Sequence, residues 1–219
     1  MLPNLTKTET IYKKIFVLLS FSYFCKRKRS TMIKINKAIQ EIADIRFGLY
    51  TQPDSTGRVA YLLLRQFNDE GRIISKASDF INITNKTEAH LLKDGDVLFV
   101  GKGNRLFSWC YRESEGPAIA SSIFFVLRPK TKLIYPEYLT AFLNAPQAKA
   151  AFQQLGSGTS IFSIRKSELG AFQIPILPML QQKKIASLAE LHQQEINLAQ
   201  QLILQKQALY TAIISKLIK

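Results

Sequence analysis

The residues that could do chemistry are few and scattered. His90 and His192 stand far apart, with no carboxylate or hydroxyl partner at a recognisable spacing, so no acid–base or nucleophilic pair is written around either. Each reads as a solvated or helix-face histidine. Cys25 and Cys110 lack neighbours at metal-ligand spacing, which argues against a zinc site or a disulfide framework and fits a reducing, cytoplasmic home. Asp54, after Pro53, is the nearest thing to the start of a nuclease pattern, but no carboxylate-x-Lys pair follows at strand spacing. The chain has no Asn-Pro-Pro-Tyr or Asp-Pro-Pro-Tyr tetrapeptide and no glycine-rich cofactor loop after a strand. Methyl transfer by this chain alone is therefore unsupported, and no cofactor or metal is implied.

What remains is the chemistry of binding. The loop "GKGNR" sets Lys102, Asn104 and Arg105 beside two glycines that permit close backbone approach. The stretch "GSGTSIFSIRK" carries Ser157, Thr159, Ser160, Arg165 and Lys166. Arg65, Gln66 and Asn68 flank a third turn. Cations and small hydroxyls hold phosphates, while Arg, Asn and Gln read base edges, so these are candidate contacts to DNA. Each also has a plainer account: a hairpin with solvated charges, a loop that caps and closes the domain, and exposed strand and turn positions. Phe107, Trp109 and Tyr111 alternate along a strand and read as core rather than as stacking platforms.

Charge points the same way. The 219 residues carry 30 basic and 16 acidic side chains, a formal +14, with a pI near 9.8, which makes a polyanion the default partner, nucleic acid or an anionic membrane surface. Residues 1–31 hold seven of the basic residues and one acid, so the remainder is still +8. That segment includes "IFVLLSFSYFC" between basic flanks, an apolar run too short to span about 30 Å as a helix and without a small-residue cleavage site. Residues 1–31 are expected to lie outside the domain. Translation is expected to start at Met32 rather than Met1, because "MIKINKAIQEIADIRFG" opens a plausible fold.

Several elements must position these loops. Ile35, Ala38, Ile39, Ile42 and Ile45 fall near helical spacing, giving a short amphipathic helix or a helix followed by a strand. "GRVAYLLLRQFNDEGRI" predicts a strand from Val59 to Phe67, buried on both faces at Leu62 to Leu64, a turn at Asn68 to Gly71, and a return through Ile73 and Ile74. Asp94-Gly95 introduces a strand at Val97 to Val100, and Leu106 to Tyr111 supplies the next. "PAIASSIFFVLRPK" reads as one further strand stopped by Pro129. Pro136 opens a helix whose Tyr138, Leu139, Phe142 and Leu143 share a face, and Pro146 breaks it in two. From Pro178 there is no Gly or Pro to the end. Ile185, Leu188, Leu191, Leu198, Leu202, Leu209, Ile213 and Leu217 recur at three, four or seven residues and form one stripe on a continuous helix. At 1.5 Å per residue it extends roughly 60 Å. Too long to be covered by one small domain, its stripe should face another helix, as in an antiparallel coiled coil with local irregularity.

The order of these parts resembles the DNA-specificity subunits of type I restriction-modification systems. The resemblance opens at "IQEIADIRFG", continues through "LLKDGDVLFVGKGNR" and "ASSIFFVLRPK", and is clearest in "PEYLTAFLNAPQAKAAFQQLGSGTSIFSIRKSELGAFQIPILPMLQQKKIASL". It covers about Ile33 to Lys219. Where the family commonly carries Pro-Leu-Pro-Pro and a Glu-Gln pair, this sequence has Pro175-Ile176-Leu177-Pro178 and Gln181-Gln182.

The resemblance implies an α+β fold: a target recognition domain of mixed structure with a β-rich core over 32–177, then one long C-terminal spacer and dimerisation helix over 178–219. It also implies a non-catalytic, cytoplasmic protein whose partners are double-stranded DNA, methyltransferase subunits and, through them, the restriction subunit. The family's usual chain has two recognition domains and two helices, whereas one of each is legible here. A half-size subunit could restore the full arrangement by pairing its helix with that of a second copy or of another half-size subunit, and two identical halves would read a bipartite palindrome. Two other readings remain open on the sequence: the recognition part of a truncated methyltransferase or nuclease, and a membrane-associated coiled-coil protein.

Overall fold

The computed structural model describes residues 35–54, 56–75, 78–155 and 163–218. The apolar "IFVLLSFSYFC" segment lies outside them. No helix among the described residues is long and apolar enough to cross a membrane.

Strand β5 (Val97–Val100) organises the interior. Its four residues are all buried, because successive side chains of a strand point to opposite faces and both faces here are covered. Val97 and Phe99 enter one core with Ile39, Ile42, Leu127, Leu139 and Phe152. Leu98 and Val100 enter a second with Phe67, Phe107, Phe124 and Val126. Burying one such side chain contributes about 1.5–3 kcal/mol.

β5 lies within a four-stranded antiparallel sheet of order β2 (Ala43–Phe47), β8 (Phe124–Pro129), β5, β6 (Ser108–Cys110). A three-stranded sheet sets β3 (Val59–Leu62) between β4 (Phe80–Ile81), antiparallel, and β7 (Ala118–Ala120), parallel. β1 (Ile35–Ala38) pairs antiparallel with β9 (Gln173–Ile176), so the first described strand lies against the last one before the long C-terminal helix. Between β1 and β2 runs a single helical turn, α1 (Ile39–Ile42), shorter than the spacing suggested, since Ile35 and Ala38 lie in β1 and Ile45 in β2. α2 (Asn85–Glu88) is a short helix in the loop before β5, capped by Thr84. α3 (Pro136–Asn144) and α4 (Pro146–Leu155) are divided at Pro146. α3 starts at Pro136, whose missing N–H costs nothing at a helix start, and its Tyr138, Leu139 and Leu143 are buried. α5 (Lys166–Ala171) precedes β9.

Three expectations need correction. The strand from Val59 stops at Leu62 instead of reaching Phe67, because the Gln66 side chain accepts the Leu63 N–H (3.1 Å) and winds Leu64–Gln66 into a 3-10 turn. Leu63 and Leu64 are accordingly half-buried. The return is a single bridge, Phe67 to Ile73, with Ile74 63 % exposed. "PAIASSIFFVLRPK" holds two strands in different sheets, since a turn in which Phe124 donates to the Ser121 carbonyl (3.0 Å) separates β7 from β8. Trp109 is half-buried and Phe107 and Tyr111 are buried, as core residues should be.

The last helix, α6 (Met179–Leu217), is one unbroken helix of 39 residues. Its seat on the domain is Gln182, 1 % exposed. Gln182 Oε1 accepts the Tyr135 N–H at the start of α3 (2.8 Å), and Nε2 donates to the carbonyls of Leu133 (3.1 Å) and Leu177 (2.8 Å). Ala186, one turn on, is also buried. At 100° per residue Gln182, Ala186, Gln193, Asn197 and Gln200 occupy a sector about 60° wide, and the stripe from Leu188 to Ile213 centres on the opposite side. Ile185 is 38 % exposed, and Leu188, Leu191, Leu198, Leu202, Leu209, Ile213 and Leu217 more so.

Removing a buried side chain that satisfies three backbone groups costs about 2–4 kcal/mol. Gln182→Ala should therefore lower the urea midpoint with little change in slope, and an unchanged midpoint would show that the seat does not depend on this amide.

Candidate nucleic-acid interface

The candidate residues separate into two groups. In the first, the loop after β5 runs beside the segment that leads into α5. Lys102 bridges to Ser163, and the Ile164 N–H donates to the Gly101 carbonyl (2.9 Å). A Cβ on Gly101 would lie 2.3 Å from the Phe125 ring, so only glycine lets this loop pass over β8. Phe125 in turn packs on Phe47 (centroids 5.0 Å apart), and Lys166 Nζ lies 5.9 Å above the Phe47 ring. Arg165 caps α5 through its backbone N–H, donated to Glu168 (2.7 Å), which leaves its guanidinium 83 % exposed.

Lys102, Asn104, Arg165 and Lys166 thus present cations and an amide on two adjoining loops beside an exposed aromatic. Phe47 belongs to this neighbourhood and was not among the sequence candidates, whereas Arg46 beside it faces the opposite side of β2, opposite Val126. The signal was available in "IRFGLY", where Arg46, Phe47 and Tyr50 all remain exposed. Ser157, Thr159 and Ser160 lie outside the described residues.

The second group turns inward. Gln66 is 1 % exposed, with its oxygen on the Leu63 N–H and its nitrogen donating to the Tyr61 carbonyl (3.4 Å). Asn68 Oδ1 accepts the N–H groups of Glu70 (3.2 Å) and Arg72 (2.8 Å). Arg105 donates to the carbonyls of Phe67 (2.6 Å) and Leu64 (3.0 Å), with Asp69 at 3.8 Å. Arg65 pairs with the buried carboxylate of Asp79. The polar groups of Gln66, Asn68 and Arg105 close the turn after β3. Arg65 keeps an exposed stem but has its guanidinium on Asp79.

The residues weighed for catalysis are likewise engaged. Asp54 accepts from the N–H and hydroxyl of Thr56 and from Asn82 (2.9, 2.8 and 2.7 Å), and the backbone hydrogen bond holds its carboxyl below the usual carboxylate range. Burial pushes the Cys110 thiol up to about 11, so it is a poor thiolate at neutral pH. His192 is exposed beside Glu195 (3.9 Å). No group of three or more metal-ligating side chains occurs among the described residues.

Neither a family model nor a curated protein matches this sequence. Among solved structures, the S subunit of the type I restriction-modification system from M. genitalium superposes over 77 % of this chain with a TM-score of 0.53 at 14 % identity. This is the fold of a type I S subunit. An HsdS subunit from Thermoanaerobacter tengcongensis aligns over the same share of the chain (TM-score 0.49, 19 % identity), and a type I R-M assembly over 92 % (0.48, 16 %). The chain spans 41 % and 39 % of the two S subunits and 55 % of the matched chain in the assembly. What it shares with the M. genitalium S subunit is the fold, here mixed β-sheets followed by a long helix.

The inward group should betray itself through stability. Gln66→Ala and Arg105→Ala each leave backbone groups without partners and should cost about 1–3 kcal/mol, read as a lower urea midpoint. A variant with an unchanged midpoint would return that side chain to the pool available for a ligand.

Proposed function

We propose that this chain is a non-catalytic specificity component of a type I restriction-modification system. Residues 32–177 act as one target recognition domain, and 178–219 as the spacer that carries it. The observation that supports this most directly is α6 itself. One side of the helix is seated on the domain, the other carries an exposed apolar stripe, and the whole sits in an S-subunit fold. Lys102, Asn104, Arg165 and Lys166, with the hydroxyls of Ser157, Thr159 and Ser160, contact DNA; the cations hold phosphates and the amide reads a base edge.

The stripe pairs antiparallel with a second helix, from another copy or from another half-size S subunit. The two readers are then held a fixed distance apart on a bipartite site. Methyltransferase subunits bind the paired helices, the restriction subunit joins through them, and the complex works in the cytoplasm.

The first experiment is to sequence DNA methylation in cells that co-express this chain with its neighbouring methyltransferase subunit. A new bipartite methylated motif, palindromic when two copies pair, is expected. Soluble protein with an active methyltransferase and no new motif would remove the specificity reading. The stripe is tested separately: Leu198→Glu with Leu202→Glu should abolish dimerisation in sedimentation equilibrium, since two buried charges without partners cost far more than a helix pair can offset. A double variant that still dimerises would move the interface elsewhere.

A further inference from the structure

The turn after β3 is built like a mount. Asn68 N–H donates to the Arg72 carbonyl (2.9 Å), Gly71 N–H to the Asn68 carbonyl (3.0 Å), and Ile74 N–H to the Gln66 carbonyl (2.9 Å). Arg105 ties the inner strand of the turn from below through the Leu64 and Phe67 carbonyls. Gly71 takes a φ of +79°, and a Cβ there would lie 2.4 Å from the Phe107 ring, so the tip is pressed onto the core and only glycine fits. Gln66, Asn68 and Arg105 therefore share one task, and the residue they aim is Arg72.

Arg72 points away from the domain to the long helix. Its Nη1 donates to Asn197 Oδ1 (2.6 Å) and Gln200 Oε1 (3.1 Å). With the Gln193 amide oxygen turned towards it, Nε and Nη2 donate at 2.7 and 2.9 Å. Residues 193, 197 and 200 recur at four and three, which places their amides in one row on the domain side of α6. An open cavity of about 1360 Å³ separates this side of the helix from β6 and α3, and the Arg72 fork crosses it. Among the described residues, no other side chain of the domain hydrogen-bonds α6 beyond Lys183.

We propose that Arg72 is the positioning residue that fixes the direction of α6 relative to the recognition domain. Gln182 anchors the helix at its first turn, and Arg72 holds it about 15 residues, or about 22 Å, further on. One anchor permits a pivot; two fix a direction. A tilt of about 10° would carry the far end of a helix of about 58 Å through about 10 Å, the length of roughly three base pairs. The consequence for half-site spacing rests on the proposed function, but the clamp does not. The planar fork matters as much as the charge, because lysine cannot reach three acceptors in one plane.

The test is a distance distribution by double electron–electron resonance. Spin labels are placed at Lys86 and Lys206, both exposed, on the full chain diluted into unlabelled protein so that only distances within one copy are read. Arg72→Met should at least double the width of the distribution while the thermal midpoint stays unchanged, a split that a merely structural residue would not produce. Arg72→Lys should be nearly as broad. The helix-side pair Asn197→Ala with Gln200→Ala, at exposed positions, should broaden it in the same way and add little to Arg72→Met; it decides the matter should Arg72→Met fold poorly. A distribution as narrow as wild type in both Arg72→Met and the helix-side pair overturns the clamp, whether or not the chain directs methylation. Broadening in both supports it even if no methylated motif is found.

Discussion

Gln182 is buried where three segments meet: the loop before α3, the strand end after β9, and the first turn of α6. A buried amide is costly unless each of its groups is paired. Here the oxygen takes one backbone N–H and the nitrogen serves two carbonyls, so the side chain is satisfied in a single arrangement of the three segments. That arrangement decides where the long helix leaves the domain. β1 and β9 pair immediately beneath it, and Tyr138 reaches the Pro175 carbonyl with its hydroxyl (2.7 Å). The exit of the long helix is thus part of the core rather than a linker.

Once the exit is fixed, the length of α6 creates the second constraint. A 39-residue helix outruns its domain, and from Leu188 to Leu217 most of its larger apolar side chains remain exposed, with Ile196 and Ile214 half-buried. Isolated helices of this kind owe most of their stability to an apolar face that packs on something. Burying each leucine of the stripe is worth about 1.5–3 kcal/mol before the cost of association, so six of them provide ample drive for a helix pair. The two faces do not compete, because the amides that serve the domain and the exposed leucines stand on opposite sides.

The long helix, the break at Pro146 and the buried strand Val97–Val100 were legible because each is a local pattern: a periodicity, an imino acid, an unbroken apolar run. The strand boundaries after Leu62 and at Ser121 were not. In the first case the deciding contact is a side chain capping its own turn, Gln66 on Leu63. In the second, Ala118–Ala120 pairs with β3 across more than fifty residues, which no window along the chain contains. The candidate site divides the same way. Arg105 and Lys102 share one loop and look alike in sequence, yet one guanidinium is drawn inward by two carbonyls of a turn almost forty residues away. The three amides at 193, 197 and 200 were visible as a row, but nothing local says that an arginine from the domain would meet them.

The same division governs the charge. A formal +14 suggests a polyanion, but five of the arginines are taken up by the fold. Arg128 makes a two-pronged contact with the buried Asp96 (2.8 and 2.7 Å), which holds its guanidinium above the usual arginine range. Arg112 pairs with Glu137, Arg65 with Asp79, and Arg105 and Arg72 are spent on carbonyls and amides. A pair with a buried acid, such as Arg128–Asp96, specifies geometry and has little reach into solvent. Other cations stay exposed, among them Lys102, Arg165 and Lys166 on the adjoining segments after β5 and at the start of α5, with Lys166 over the Phe47 ring. Net charge therefore raises the likelihood of a nucleic-acid partner without locating the contact, and the location follows only after each arginine has been assigned to the acceptor it already serves.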